Sequence, residues 1–370
     1  MKILMLCPDW FPQSAGLAQS CYELCKQLEK HGHEVRIVIA KEKKLDDKGM
    51  HIISIPYVTR LLGRNPLVFG LYQKVKKHLD WCDVVGVFSY MYLMNSQIVS
   101  IRKQKKFSKP IIHFYRGSLE QTMLPYISFS TRIAKKIYDA TFAKPIFQDV
   151  DLIISNAEPP IALMKEKYHV ASQKLCYINN ALSLDEYHVQ NKKEKRILFV
   201  GRLIENKGIL LFPEIIKYIP SDWTFTVIGD GPLRSFVEKL QKKHKNIEIL
   251  GKIPHKDLTQ IMSSSAILIL PTYAEGSPRA VMEAAACGIP SIAFAVGDVI
   301  NMIPSGKGYA IPPYDIDLFC KKMRYLIDHK QERLNMGKKA RQFAEKKLDW
   351  DTVYPRIEKI IKKTISEYKQ

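Results

Sequence analysis

The sequence has no run of about eighteen apolar residues, so we expect no transmembrane helix. Its first apolar run, Lys2 to Cys7, is too short for a signal peptide, and Asp9 follows it without a cleavage site of small residues. The 7 cysteines form no CxxC pair, which argues against both a zinc site and a disulfide framework. We therefore expect a cytoplasmic protein in a reducing compartment.

The common nucleotide-binding motifs are also absent. Ser305 to Gly308 reads SGKG, which lacks the earlier glycine and the hydroxyl residue of a Walker P-loop. No GxGxxG follows the first predicted strand, and in GDGPLR the third glycine position after Gly229 and Gly231 holds Arg234. A Walker-type ATPase and a standard NAD-dependent dehydrogenase are therefore disfavoured.

Acidic residues are few: 37 Asp and Glu stand against 57 Lys and Arg, which gives a formal net charge of +20. Such a surplus indicates an anionic partner, although a basic solvated surface explains it equally well. No recognised nucleic-acid-binding motif accompanies the charge, so we expect no nucleic-acid partner.

The basic residues are dense between Ile101 and Gln148, where ten Lys and Arg stand against two acids, Glu120 and Asp139. The same segment contains aromatic side chains at Phe107, Tyr126, Phe129, Tyr138, Phe142 and Phe147. A basic and aromatic segment can lie on anionic headgroups, or its apolar side can pack into its own domain. We hypothesise peripheral docking on the inner face of the cytoplasmic membrane.

Short apolar segments alternate with helical patterns, and 370 residues favour two domains over one. Lys2 to Cys7 is predicted as a buried strand, with a helix from about Leu17 to Lys30 behind it. After the polar run Asn191 to Arg196 the pattern restarts. This predicts an α/β fold with two Rossmann-like parallel-sheet domains facing a central cleft. Further predicted strands are Asp83 to Ser89, Pro110 to Arg116, Asp151 to Asn156, Phe225 to Gly231 and Ala266 to Pro271.

Arg202 and Lys207 fall in VGRLIENKG, a loop between a predicted strand and a helix that is expected to begin near Gly208. Cations near a helix N-terminus are repelled by the positive end of the helix dipole. Their presence here indicates that an anion binds between the two side chains and the helix end. Arginine offers a bidentate fork, lysine a movable charge and the helix end free N–H groups, a combination that suits a diphosphate. The alternative is two exposed surface cations.

A later loop and helix, YAEGSPRAVMEAAACGIP, places two carboxylates, Glu275 and Glu283, in apolar surroundings. Ser277 suits an N-cap and Pro278 the first helical position, and Gly276 lets a ligand approach the backbone closely. Glu283 would be costly to bury without hydrogen-bond donors. Ribose hydroxyls are one source of donors and an Arg or Lys of the protein is another, while Glu275 could meet the hydroxyls of a sugar.

The segment EGSPRAVMEAAACGIP resembles the EX7E segment of the retaining, nucleotide-sugar-dependent glycosyltransferases of the GT-B fold, the glycosyl transferases group 1 family. FVGRLIENKG, VIGDGPLR and GYAIPPYD stand in the order and approximate spacing of that family. The resemblance covers most of the second half, whereas the first half matches in layout. It implies an acceptor-binding domain over residues 1–188, a nucleotide-sugar-binding domain over 189–347 and a C-terminal helix over 348–370 that returns to the first domain.

The resemblance implies a role for each matching residue. Arg202 and Lys207 would hold the donor diphosphate, Glu283 the ribose hydroxyls and Glu275 the transferred sugar near the reacting centre. The other implied donor-binding positions are Gly16 from the first domain, Gly231, the region of Ile253, and the backbone of Gly276, Ser277 and Pro278.

The chain departs from many relatives in two places. Ala15-Gly16 replaces a double glycine, and Arg116 stands where those relatives carry a histidine after the fourth strand. We expect Arg116 to be a catalytic residue in the cleft, in contact with the donor sugar or an anionic acceptor. His113 lies three residues earlier on the opposite face of the strand and is expected to be structural.

The implied reaction is transfer of a hexose, with retention of configuration, from a UDP-, GDP- or ADP-sugar to a lipid-linked or cell-surface glycan, as in bacterial cell-envelope polysaccharide synthesis. The resemblance implies no cofactor beyond the donor and no metal, because Arg202 and Lys207 would stabilise the departing diphosphate. The alternatives are another GT-B enzyme, such as a sugar-nucleotide epimerase, and a non-catalytic sugar-nucleotide-binding protein.

Overall fold

Two parallel β-sheets flanked by helices organise the protein. The computed structural model describes residues 1–11, 15–41, 45–61, 65–89, 92–116, 133, 136–190 and 194–369. Of these residues, those up to 178 and from 354 onward form one compact unit, and those from 179 to 353 form a second. The middle of the basic aromatic segment, residues 117–132, 134 and 135, and the first half of the predicted linker, residues 191–193, lie outside the described residues.

The first unit contains a seven-stranded parallel sheet and a separate antiparallel hairpin. The sheet strands are β1 Lys2–Leu6, β2 Glu34–Ala40, β3 Ile52–Ile55, β6 Val84–Phe88, β7 Ile111–Tyr115, β8 Leu152–Ser155 and β9 Leu175–Tyr177, and the hairpin strands are β4 Thr59–Leu61 and β5 Asn65–Leu67. Their order in the sheet is β3-β2-β1-β6-β7-β8-β9. Strands such as β7 are buried throughout because helices cover both faces of a parallel sheet.

The helices of the first unit are α1 Ala15–Lys30, α2 Leu71–Trp81, α3 Leu93–Lys103, a π-helical turn Asp139–Ala143 that runs into α4 Lys144–Asp149, and α5 Pro159–Tyr168. The helix α1 begins at Ala15, slightly before the predicted start. Its apolar side chains Cys21, Leu24 and Leu28 are buried, as a helical stripe requires.

The second unit contains a six-stranded parallel sheet. Its strands are β10 Arg196–Val200, β11 Thr224–Ile228, β12 Ile247–Gly251, β13 Ile267–Leu270, β14 Ser291–Phe294 and β15 Gly308–Ile311. Their order is β12-β11-β10-β13-β14-β15, so the direction in which strands are added reverses between β10 and β13. Ligands of open α/β sheets bind outside the carboxyl ends of the strands at such a reversal.

The helices of the second unit are α6 Phe212–Ile216, α7 Arg234–Lys243, α8 His255–Ser264, α9 Arg279–Ala286, α10 Val299–Met302, α11 Ile316–Asp328 and α12 Lys330–Lys347. The last helix, α13 Trp350–Tyr368, belongs to the first unit from Tyr354 onward. Within the described residues, none of the helices combines the length and apolarity needed to cross a bilayer.

The two sheets confirm the predicted α/β fold with two Rossmann-like domains, and the predicted strands occur in their places. Two predicted helix starts are wrong. Ser277 does not cap α9, because Pro278 is in an extended conformation with ψ of 105° and its carbonyl accepts from the N–H of Val281 at 3.1 Å. Near Gly208 the chain forms the 3₁₀ turns Glu205–Lys207 and Ile209–Leu211, and the α-helix starts only at Phe212.

Candidate active site

Lys207 and Glu275 form an ion pair at the carboxyl edge of the second sheet. Lys207 lies in the loop after β10, Glu275 lies in the loop after β13, and these two strands are neighbours. The Nζ atom of Lys207 donates a hydrogen bond to Oε1 of Glu275, and both side chains are largely buried, with 16% and 13% exposed. The sheet therefore brings Lys207, which is predicted to bind the diphosphate, into contact with Glu275, which is predicted to bind the sugar.

Hydrogen bonds to the main chain also connect the two loops that carry this pair. The N–H of Tyr273 and the hydroxyl of Thr272 both donate to the carbonyl of Asn206, at 2.8 and 3.0 Å. Gly208 has a φ of +71°, and a Cβ there would stand 1.9 Å from the carbonyl oxygen of Pro271. Only glycine fits at this position, because the two loops touch through their main chains.

The loop after β10 carries its positive charge on side chains and gains little from a helix dipole. The N–H groups of Lys207 and Gly208 are both used inside the 3₁₀ turn, donating to Ile204 and Glu205. The following helix, α6, has 5 residues, too few for a sizeable dipole. Arg202 lies exposed just after β10 and adds a second cation to the same loop.

Gly297 supports the Glu275 loop from the other side. Its φ is +57°, and a Cβ there would stand 2.0 Å from the carbonyl oxygen of Glu275. The next residue, Asp298, donates its N–H to the carbonyl of Gly276 at 2.9 Å. Gly297 is not among the residues predicted from the sequence, and a glycine in the loop after β14 was the available signal.

Glu283 lies on α9 and is buried, with 4% of the residue exposed. Its Oε1 atom accepts from Nε of Arg279 at 2.8 Å and from the hydroxyl of Tyr187 at 3.3 Å, and it lies 3.6 Å from Nε2 of His255. The pairing with an arginine of the protein, left open by the sequence, is therefore present. The other oxygen, Oε2, receives no hydrogen bond from the part of the chain that the structure describes.

The charge of Glu283 is set by opposing effects. Burial raises the pKa of this carboxyl, but the contacts with His255 and the charge of Arg279 outweigh burial, so its pKa is lowered overall. Glu283 is thus a carboxylate at neutral pH and acts as a hydrogen-bond acceptor.

His255 and Tyr187 contact the candidate site residue Glu283 and were not predicted from the sequence. Nε2 of His255 lies 3.1 Å from the Tyr187 hydroxyl, and its Nδ1 lies 3.7 Å from Oε2 of Glu186. The contact with Glu283, together with the negative charges of Glu283 and Glu186, raises the pKa of His255 above its ordinary value, although partial burial and the charge of Arg279 lower it. The histidine thus lies between two carboxylates.

The remaining predicted residues of the second unit lie in the loops after β11, β12 and β13. Gly231 follows β11, and a Cβ there would stand 2.5 Å from the carbonyl oxygen of Leu203 in the Arg202 loop. Ile253 follows β12 and is partly buried against the core of the unit. The Ser277 hydroxyl lies 4.0 Å from the sulfur of Met282, and Pro278 is buried at the start of α9.

Two predicted site residues, Gly16 and Arg116, belong to the first unit. Gly16 is exposed at the start of α1, and a Cβ there would meet nothing within 4 Å. Nη1 of Arg116 donates to the carbonyls of Tyr115 and Ile154 at 2.9 and 3.2 Å, and burial lowers the pKa of the guanidinium to about 10. Arg116 is therefore held against the carboxyl ends of β7 and β8.

His113 is a core residue with 1% exposure, as expected for a structural histidine. Its Nε2 lies 3.0 Å from the carbonyl oxygen of Ser89, its ring stacks on Phe147, and burial lowers its pKa to about 4. Among the described residues, no group of three or more His, Cys, Asp and Glu side chains could hold a metal ion.

Comparison with known proteins shows that the chain is similar to glycosyltransferases along most of its length. The family model "Glycosyl transferases group 1" matches residues 183–343, and the model "Glycosyltransferase Family 4" matches residues 14–186. An uncharacterised glycosyltransferase of Methanocaldococcus jannaschii is 28% identical over 97% of both chains. The phosphatidylinositol N-acetylglucosaminyltransferase gpi3 subunit of Schizosaccharomyces pombe is 23% identical over 98% of this chain and 81% of its own.

The fold has a similar counterpart among solved structures. Anabaena HepE in complex with UDP superposes with a TM-score of 0.77 over 98% of this chain and 100% of its own, at 15% identity. Both family models describe glycosyltransferases, and together they span the described site residues of both units. The chain is therefore a glycosyltransferase of the GT-B fold, whose second half matches the glycosyl transferases group 1 family and whose first half matches Glycosyltransferase Family 4.

Proposed function

We propose that this glycosyltransferase moves a hexose from a nucleotide diphosphate sugar to a lipid-linked or cell-surface glycan, with retention of configuration. The observation that carries the proposal is the contact between Lys207 and Glu275 at the strand-order reversal of the second sheet, with Glu283 on the helix that follows. These residues combine a cation, a carboxylate and a second, buried carboxylate in one unit.

Lys207 and Arg202 are proposed to bind the donor diphosphate. A lysine ammonium has three N–H donors, so Lys207 can keep its bond to Glu275 and still direct others at phosphate oxygens. Arg202 is exposed in the same loop and can add a bidentate contact. The solved complexes of Anabaena HepE with UDP and with UDP-glucose support a uridine diphosphate donor as the first to test.

Glu283 is proposed to bind the ribose hydroxyls through Oε2, since Oε1 already accepts bonds from Arg279 and Tyr187. Its lowered pKa keeps it ionised, as an acceptor of hydroxyl hydrogens must be. Glu275, next to Lys207, would then meet the hydroxyls of the transferred sugar. Gly276 and Ser277 would offer backbone N–H groups, and Gly231 and Ile253 would line the sugar and base pockets.

In the proposed reaction the bond between the anomeric carbon and the diphosphate oxygen breaks as an acceptor hydroxyl attacks from the same face. The positive charges of Arg202 and Lys207 stabilise the negative charge on the departing diphosphate. In this role they replace a metal ion. The acceptor proton passes to the departing diphosphate. Gly16 and Arg116 of the first unit are proposed to contact the donor phosphate and sugar.

The acceptor is proposed to be lipid-linked and presented at the cytoplasmic face of a membrane. The Schizosaccharomyces pombe relative is named for phosphatidylinositol, a lipid. The net charge of +20 on this chain favours anionic surfaces. Both observations support a lipid-linked acceptor, and neither specifies the glycan that the lipid carries.

A thermal-shift screen with UDP-, GDP- and ADP-sugars tests the donor, because a ligand that binds the native state raises the melting temperature. Transfer from the stabilising donor to a lipid-extract acceptor is then followed by NMR of the anomeric proton. An unchanged anomeric configuration supports retention, and an inverted one contradicts it. Conversion of the donor to its epimer would indicate an epimerase, and binding without turnover a non-catalytic protein.

A further inference from the structure

An exposed apolar face lies on the first unit, around the hairpin β4–β5 and the start of α2. Val58, Phe69, Ile137 and Phe142 are exposed by 67%, 63%, 58% and 39%. Exposed side chains of this size, when grouped, commonly mark a protein or membrane contact. We call these four residues the apolar face.

The four residues are neighbours in the fold. The N–H of Val58 donates to the carbonyl of Leu67 at 3.0 Å, which places Val58 beside β5. Phe69 follows two residues later, immediately before Gly70. Phe142 lines a groove of about 370 Å³ together with Leu67 and Gly70, and Ile137 lies one turn before Phe142.

The groove adjoins the apolar face at Phe142. Its apolar lining is contributed by Leu67, Leu71, Tyr72, Leu93, Ile101 and Phe142. Lys106 stands at its edge, with Nζ 5.8 Å from the ring centroid of Tyr72. The rest of the lining is polar and comes from Gln73, Ser96, Gln97, Ser100 and Gln104. A concavity that combines apolar side chains with polar groups and a cation suits a lipid, which has an apolar chain and an anionic phosphate.

Exposed lysines surround the apolar face. Lys74, whose Nζ donates to the carbonyl of Phe69, and Lys105, Lys106 and Lys136 are exposed. Among the described residues none of these four pairs with a carboxylate, whereas Arg102 and Lys103 nearby are neutralised by Asp151 and Asp149. Asp139 is the acidic residue closest in the chain to Ile137 and Phe142.

We propose that the apolar face and its lysines bind the surface of an anionic bilayer, a proposal that rests on the lipid-linked acceptor proposed above. Val58, Phe69, Ile137 and Phe142 enter the headgroup region, and the lysines meet lipid phosphates. Apolar insertion and cationic attraction act together in such binding, because neither alone anchors a protein stably. The proposed surface thus comprises Val58, Phe69 and Lys74 around the hairpin and the start of α2, and the described residues Lys105, Lys106, Lys136, Ile137 and Phe142 of the basic segment.

The test is sedimentation of the full chain with phosphatidylcholine vesicles, with and without phosphatidylglycerol, at low salt and without donor. We expect binding to the anionic vesicles only. Replacing Val58 and Phe69 together by Ser should weaken it by about tenfold or more. Replacing Lys105 and Lys106 together by Gln should weaken it by about 25-fold, at roughly fivefold per lysine.

Matched controls lie on the second unit. Ile300→Ser removes an equally exposed apolar side chain, with 60% exposure, and Lys242→Gln with Lys243→Gln removes two exposed lysines. These variants should bind as the unaltered chain does. All variants are first compared by thermal melting, and the single changes Phe69→Ser and Lys106→Gln replace any double variant that does not fold.

Equal binding to neutral vesicles, or equal loss in the control variants, would overturn the proposal. Binding to polyglutamate that depends on the lysines but not on Val58 and Phe69 would also overturn it, and would indicate an acidic protein partner. The outcome is separable from the proposed function. Lys207→Ala should bind vesicles normally, and the apolar-face variants should keep the thermal shift with UDP.

Discussion

The Nζ atom of Lys207 donates a hydrogen bond to Oε1 of Glu275, across 68 positions of sequence. The contact exists because β10 and β13 are adjacent parallel strands, so the loops that follow them leave the same edge of the sheet. Both side chains are largely shielded from water, which strengthens the attraction between them. The two groups therefore act as one unit, and a change at either should be felt at the other.

Replacing Lys207 by Ala should reduce transfer by about 100- to 1,000-fold, because one preorganised donor to the departing charge is removed. The fold should persist, since the side chain lies at the sheet edge and not in the core. Steady-state kinetics of transfer, with circular dichroism as a fold check, provides the measurement. Lys217→Ala, which removes an exposed lysine paired with Glu214, is the matched control. Normal turnover of Lys207→Ala would refute the diphosphate role.

Glu275→Ala and Glu283→Ala should differ in which kinetic constant they change. Loss of Glu275 should mainly lower kcat, by about 100-fold, because its proposed partner is the transferred sugar near the reacting centre. Loss of Glu283 should mainly raise KM for the donor, by about tenfold, because ribose binding is common to ground and transition states. The comparison requires initial rates over a range of donor concentrations. Equal small effects from both would contradict the division of roles.

Glu283→Ala should also destabilise the fold, and by more than Glu275→Ala, which removes only the acceptor of Lys207. Removing the carboxylate deletes the hydrogen bonds that Arg279 and Tyr187 donate to it, which costs about 2 kcal/mol of unfolding free energy. Urea unfolding of the two variants measures the difference. A Glu283→Ala protein as stable as the unaltered chain would mean that these bonds contribute nothing net.

The strands and the residues at their carboxyl ends could be predicted because local patterns define them. The apolar run before Arg202 indicates β10, and the run before Glu275 indicates β13, so both loops fall at the sheet edge by topology alone. The start of α9 was misplaced because N-cap preference favours Ser277, whereas the extended backbone of Pro278 decides the observed start.

The contacts around Glu283 could not be predicted, because they join parts of the chain that no local pattern connects. Tyr187 follows a 3₁₀ turn before the first strand of the second unit, and His255 begins α8. Their approach to Glu283 depends on how the loops pack over the sheet. The role of Gly297 depends likewise on a main-chain contact with Glu275.

The stability that His255 contributes should depend on pH. Its pKa is raised in the folded protein, mainly by Glu283, so its contribution is full below its ordinary value of about 6.5 and is lost as pH rises through the raised value. Glu186 favours the charged form and Arg279 opposes it. The pKa of Glu283 is lowered, so its own contribution is lost only in acid.

We therefore expect His255→Gln to reduce the unfolding free energy at pH 6 more than at pH 8.5. Urea unfolding at both pH values measures this, with His244→Gln as the control because His244 is an exposed histidine of the same unit. A pH-independent effect of His255→Gln would show that the imidazole acts by packing on Tyr187 and not by its charge.

Gly297→Ala should impair transfer more than it impairs stability. The new methyl group would stand 2.0 Å from the Glu275 carbonyl oxygen, so the Glu275 loop must move. Gly306→Ala provides a control with the same backbone strain, because Gly306 has a φ of +76° and its nearest neighbour is the flexible end of Lys339 at 3.7 Å. Each substitution should cost about 1–2 kcal/mol for its left-handed conformation.

Only Gly297→Ala should also lower kcat/KM, by about 100-fold, because a shift of roughly 1 Å in a reacting group has that effect. The measurement compares kcat/KM with the urea midpoint for both variants under the same conditions. If the two variants lost activity only in proportion to stability, the Gly297 contact would be structural. A selective loss in Gly297→Ala would show that the position of the Glu275 backbone, held by a residue outside the EX7E segment, controls transfer.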